Sequence, residues 1–87
     1  MNSYNSVIEM NRGVAAALEA QRLAQKYNKD FFDAGDLIGI MGLGEANVRK
    51  LMARKDFPAT KIGNRVVVSA LSLAMWEVRH TDDVIKI

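Results

Sequence analysis

The chain has no cysteine and only one histidine, His80. Disulfides are therefore excluded, as is any Cys-based metal site, and there is no second histidine to share a metal. Long hydrophobic runs are also missing: the longest are a few residues, far short of the roughly 20 that a membrane-spanning helix needs. The opening Met1-Asn2-Ser3-Tyr4-Asn5 lacks the basic and then hydrophobic pattern of a signal peptide. The pieces of an enzyme are scarce. Gly42-Leu43-Gly44 superficially suggests a nucleotide loop, but the Gly, Lys and Ser/Thr that should follow are absent. These absences predict a small soluble cytoplasmic protein that is not an enzyme, with no catalytic residue, no metal and no cofactor.

With 87 residues, 49% of them apolar, the chain suits one domain with a packed core, near the lower end of what folds without staples. Net charge is only +2, but it is unevenly spread. Residues 1–44 carry four Lys/Arg and five Asp/Glu, and residues 69–87 carry two and three, −1 in each case. Residues 45–68 carry six Lys/Arg (Arg49, Lys50, Arg54, Lys55, Lys61, Arg65) against Glu45 and Asp56, a local +4. A basic surface on a nearly neutral protein suits a site that meets phosphate. It also suits an ordinary solvated face, and charge alone does not separate the two.

The spacing predicts a long helix from about Ser6 to Tyr27. Asn5 or Ser6 is the candidate cap, and Glu9 completes a capping-box pattern with Ser6. Its apolar residues fall on two sides: Val7, Met10, Val14 and Leu18 on one, Ala16, Ala20, Leu23 and Tyr27 nearly opposite. A helix apolar on two sides needs two partners. Either it pairs with its own domain and with a second copy of the chain, as a homodimer, or it lies across a small core. Asn28-Lys29-Asp30 ends it, and Phe31-Phe32 forms an apolar anchor or abbreviated strand.

Asp33 is a good N-cap for a helix from Ala34 to about Met41 that buries Leu37, Ile38 and Met41. Gly35 and Gly39 weaken that helix by roughly 1 kcal/mol each relative to alanine, and would suit close approach of a neighbouring helix. Gly42 is the expected left-handed terminator and Gly44 the cap of the next helix. That next helix, through Arg54, sets Val48, Leu51 and Met52 inward and Ala46, Asn47, Arg49, Lys50, Ala53 and Arg54 outward. Two helices across a tight glycine turn make a helix-turn-helix pattern.

Lys55-Asp56-Phe57-Pro58 is expected to stop this helix, since the residue before proline avoids helical torsions. Ala59–Ile62 and Arg65–Val68 are β-prone runs separated by Gly63-Asn64, a two-residue hairpin turn with positive torsions. Lys61 and Arg65 flank its tip. Ser69 caps a last helix to about His80, with Leu71, Ala74, Met75 and Val78 expected to close the core. Trp76 reads as a packing residue, and His80 as a complement to the helix dipole. In the tail, Val84, Ile85 and Ile87 suit an edge strand, a partner contact or a frayed end.

From Phe31 to about Arg79 this ordered set resembles the excisionase-type, MerR-like winged helix-turn-helix domains of phages, transposons and other mobile elements. The resemblance rests on Gly42-Leu43-Gly44, the Val48…Leu51-Met52 spacing, Phe57-Pro58, Lys61-Ile62-Gly63-Asn64-Arg65 and the closing helix with Trp76. It departs at Gly44, where the family often has Ser or Thr. The fold it implies is mainly α with a small β-hairpin. A winged helix-turn-helix over 31–80 would follow an N-terminal helical extension over 1–30 and precede a flexible tail over 81–87.

The function the resemblance implies is sequence-specific binding to double-stranded DNA. Such a recombination directionality factor binds and bends the ends of an integrated element and works with an integrase. The alternatives are a small transcription regulator of a mobile element, or a protein-interaction module using the N-terminal helix. The recognition helix would place Glu45, Ala46, Asn47, Arg49 and Lys50 nearest the bases, with Arg54 and Lys55 at phosphate. Lys61, Asn64 and Arg65 would form the wing contact.

Overall fold

A computed structural model describes residues 3–81 and 84–85, with side chains from Asn11 onward. The elements follow as α1 (Ser3–Tyr27), β1 (Phe31–Phe32), α2 (Ala34–Met41), α3 (Glu45–Met52), β2 (Thr60–Ile62), β3 (Arg65–Ser69) and α4 (Ala70–Arg79). The protein is mainly helical, with a small antiparallel sheet in the strand order β1-β3-β2. The hairpin thus gains a third strand. Phe31 and Phe32 pair with Ser69 and Val68, while Thr60, Lys61 and Ile62 pair with Val67, Val66 and Arg65. Among the described residues, no helix is long and apolar enough to cross a membrane.

Helix ends follow local chemistry. Asn28 takes φ 53° and the Lys29 N–H donates to the Ala24 carbonyl at 3.2 Å, closing α1 with a left-handed residue. Asp33 and Asp36 form a reciprocal capping box at the start of α2. Gly42, at φ 67°, ends α2 by donating its N–H to the Ile38 carbonyl. Gly44 leads into α3 with no side-chain cap. In the hairpin turn Gly63 alone has positive φ, at 61°, the sign pattern of a type II′ turn rather than positive torsions at both Gly63 and Asn64. Ser69 Oγ accepts the Ser72 N–H at 3.0 Å to cap α4.

One core joins all of this. Leu23 of α1, Phe32 of β1, Leu37 of α2, Val48 and Leu51 of α3, Val68 of β3 and Leu73 of α4 are all inaccessible or nearly so. Burying one such side chain fully contributes about 1.5–3 kcal/mol. Ile38 and Met41 are half-buried against it rather than enclosed. Phe57 and Trp76 pack edge to face with ring centroids 5.1 Å apart, and the His80 ring lies 5.0 Å from Trp76. Trp76 is therefore a packing residue, and His80 caps α4 while lying against it. In the tail, Ile85 is partly buried against the core and Val84 is exposed; Ile87 lies outside the described residues.

Four expectations are corrected. First, α1 begins at Ser3, so Asn5 and Ser6 both lie within the helix and neither is its cap; the side chains of Asn5, Ser6, Val7, Glu9 and Met10 lie outside the described ones. Second, α3 ends at Met52, with Ala53 as its cap, before Lys55-Asp56-Phe57-Pro58 is reached. Third, the face of α4 is rotated from the expected one. Ala70, Leu73, Ala74 and Trp76 are buried, whereas Leu71 and Met75 are 53% and 47% exposed. Burial of the large Trp76 and Leu73 turns the opposite flank outward. Fourth, the glycines of α2 admit no neighbouring helix. A Cβ at Gly39 would meet nothing within 4 Å, and one at Gly35 only Asp33 Oδ1 at 3.3 Å. Gly39→Ala should accordingly stabilise the protein by roughly 1 kcal/mol in urea unfolding, through helix propensity alone.

Between α1 and α4, the half-buried Glu77 lies beside Glu19, which is itself held by Arg22. Burial first, and then the Glu19 charge, raise the Glu77 pKa from 4.5 to about 7. A folded value above the unfolded one means that protonated Glu77 favours folding. The contribution is complete below pH 4.5 and is lost as pH rises through about 7. Glu77→Gln keeps the donor without the charge. Melting curves should match wild type below pH 4.5, and the variant's advantage should grow from there and level off above about 7.

Candidate nucleic-acid interface

The outward face of α3 follows from its core-facing residues. With Val48, Leu51 and Met52 buried, the helical rotation leaves Glu45, Ala46, Asn47, Arg49, Lys50 and Ala53 exposed. Beside this face the β2–β3 hairpin projects from the sheet, exposing Lys61, Asn64 and Arg65. A cleft of ≈ 430 Å³ separates the two. Arg49, Met52 and Ala53 form its α3 wall and Asn64, Arg65 and Val66 its hairpin wall. Asp33, Ala34 and Gly35, at the start of α2, complete the lining.

Three of the candidate residues, Arg49, Asn64 and Arg65, thus converge on one cleft. Glu45, Ala46, Asn47 and Lys50 occupy the exposed face of α3 outside its lining, and Lys61 lies on the hairpin beyond it. Arg54 and Lys55, in the turn after α3, do not line it. The contribution of Asp33 was visible in the sequence only as a helix cap. Its contact with Arg65 spans 32 positions of sequence and arises from strand pairing, for which no local signal exists.

The cations divide by side chain. Each arginine of the segment holds an acid. Arg49 Nη2 and Nε donate to Glu45 Oε1 at 2.9 and 3.1 Å. Arg54 makes a two-point contact with Asp56 at 2.8 and 2.9 Å, which raises the Arg54 pKa and lowers that of Asp56. Arg65 Nη2 reaches Asp33 Oδ2 at 3.4 Å. The Asp36 backbone N–H, and then the Asp36 side chain, Lys29 and Arg65, hold the Asp33 carboxyl below its ordinary range. Lys50, Lys55 and Lys61 make no ion pair among the described residues. Exposed pairs of this kind are weak and screened by salt, so their arginines are available to a stronger anion.

No family model matches the chain, and neither a curated protein nor a solved structure matches it.

Asp33 joins the helix cap to the cleft, and two substitutions separate these roles. Asp33→Ala should cost about 1 kcal/mol in urea unfolding, the usual loss for an N-cap. Asp33→Asn retains the accepting oxygen and should stay within a few tenths of a kcal/mol of wild type, while releasing Arg65 from its carboxylate.

Proposed function

We propose that α2, α3 and the β2–β3 hairpin form a winged helix-turn-helix, and that the protein binds double-stranded DNA sequence-specifically. In this reading it is an excisionase-type, MerR-like directionality factor that bends DNA at the ends of an integrated mobile element and works beside an integrase. The observation that carries the reading is the cleft between α3 and the hairpin, with Arg49 on one wall and Asn64 and Arg65 on the other. An exposed helix face beside a basic hairpin suits one element in the major groove and the other on the adjacent backbone or minor groove.

The chemistry then divides by residue. Asn47 offers paired hydrogen bonds to adenine, Arg49 or Lys50 to guanine, and Ala46 an apolar contact to a thymine methyl. Glu45 accepts from cytosine, or gives up Arg49 while stabilising the start of the helix. Arg54 and Lys55 meet phosphate beyond the groove. Lys61, Asn64 and Arg65 hold the flank, where Arg65 exchanges the Asp33 carboxylate for the duplex. A transcription regulator would use the same surface on different sites.

Fluorescence anisotropy with duplex DNA over a salt series tests the assignment. Lys50→Ala should weaken binding to a selected site and relax its sequence preference. Arg65→Ala should weaken binding to all duplexes and reduce the salt slope by about one unit. Absence of wild-type binding in low salt would remove the reading in favour of a protein-interaction module. Footprints at the ends of an element, rather than over a promoter, would favour recombination over transcription.

A further inference from the structure

The face of α1 that turns away from the core is patterned. Val14 and Leu18 are 59% and 62% exposed, although Ala16 and Leu23 on the opposite side are buried. Asn11, Val14, Leu18, Gln21 and Gln25 alternate spacings of three and four residues, and all are exposed. In the sequence the same spacing continues upstream through Val7 and Tyr4. A run of alternating threes and fours forms one nearly straight strip along a helix, the seam of a coiled coil. Asn11, Leu18 and Gln25 then occupy one core position of the heptad, and Val14 and Gln21 the other.

We propose that two copies of this chain pair through this strip, in parallel and in register. The strip itself selects the occupant. It carries no charge, so an acidic or basic partner finds nothing complementary there, whereas a second copy meets no like charge. Its flanks are small, at Ala15, Ala17 and Ala24, and Arg22 beside it is already held by Glu19 at 2.9 and 2.6 Å. Arg12 and Lys26 lie on other sides of the helix.

Length favours the same occupant. At 25 residues α1 is about 37 Å long, against about 15 Å for the 10 residues of α4. Arg12 and Arg79 border one groove, so α4 ends near Arg12 and the first turns of α1 run on past it. A second copy of α1 extends alongside those turns without displacing α4. The polar Asn11 at a heptad core position faces its counterpart, fixing register and strand number at some cost in stability. The seam is short and half polar, so pairing is reversible and in the micromolar range.

Sedimentation equilibrium of the full chain without DNA tests this. The expected result is a two-chain mass at high micromolar concentration that dissociates on dilution. Leu18→Glu should be monomeric throughout, with the same melting temperature as wild type at dilutions where wild type is also monomeric, because Leu18 is exposed. Asn11→Leu should tighten association by about tenfold or more, since a polar residue at a seam position weakens pairing. Asn11→Cys introduces the chain's sole thiol, and oxidation should link two copies through it. A wild-type monomer at high micromolar concentration, a Leu18→Glu variant that still pairs, or a mass of three or more chains overturns the proposal. So does a pair that Asn11→Cys fails to link. None of these readouts involves DNA, so they stand or fall independently of the proposed function.

Discussion

The arrangement of the molecule depends on two paired residues. Phe31 and Phe32 pair with Ser69 and Val68, and the Ala70 N–H donates to the Asp30 carbonyl at 2.8 Å just beyond. Phe32 is inaccessible and meets Tyr27 edge to face at 6.0 Å. This short ladder joins the segment between α1 and α2 to the strand between the hairpin turn and α4. Asp33, the next residue, starts α2, and the Gly42 turn sets α3. Both walls of the cleft are therefore referenced to the same pair of strands. The α3 wall is set through α2 and the hairpin wall through β3. A two-residue strand would be negligible alone; here the burial of Phe32 and Val68 holds it.

What was legible in the sequence is what local chemistry decides. Asp33, Gly42, Gly44, Gly63 and Ser69 each mark a boundary because one side chain, or the lack of one, sets the adjacent backbone. The inward face of α3 was legible because its apolar residues fall on one side only. The face of α4 was not. Ala70, Leu71, Leu73, Ala74, Met75, Trp76 and Val78 leave that helix apolar over most of its circumference, so periodicity does not choose an arc. The choice comes from Phe57, which takes Trp76 as its neighbour and turns Leu71 and Met75 outward. The acids that meet the arginines are likewise a tertiary matter in the case of Asp33 and Arg65. Glu45 and Arg49, one helical turn apart, were readable as a pair from spacing.

Those pairs change the meaning of the local +4. Charge counted along the sequence treats six cations alike, but the folded surface presents two kinds. Lysines 50, 55 and 61 make no ion pair among the described residues, whereas each arginine starts from a carboxylate that any incoming phosphate must replace. For a duplex partner this lowers the affinity of arbitrary sequence, because part of each Coulombic gain is spent separating an existing pair. It costs less where the arginine ends in a two-point contact with a base edge and the released carboxylate finds its own donor. Glu45 beside Arg49 is suited to that exchange. Discrimination would then come from what the ion pair prevents as much as from what the arginine contacts.

On the two proposals, the two faces of α1 would keep pairing and DNA contact on separate surfaces of one connected structure. Ala16, Ala20 and Leu23 tie α1 to the domain from one side; Val14 and Leu18 look outward from the other. A second helix on the outward strip therefore asks no repacking of the core. The end of α1 is not loose, however. Asn28 closes it, the Lys29 ammonium bonds Asp36 in the first turn of α2 at 2.8 Å, and the paired strand follows within a few residues. Orientation imposed on α1 is thus passed to α2, and through the Gly42 turn to α3. If the chain pairs and binds DNA as proposed, two short α3 helices held at a fixed separation would bind one duplex as a unit. The second contact would then be intramolecular, and overall affinity would rise without new contacts at either site. On the proposed function, a domain whose cleft arginines are already paired would gain most from that geometry, because the pairs that restrain each arginine would leave a single copy with little affinity of its own.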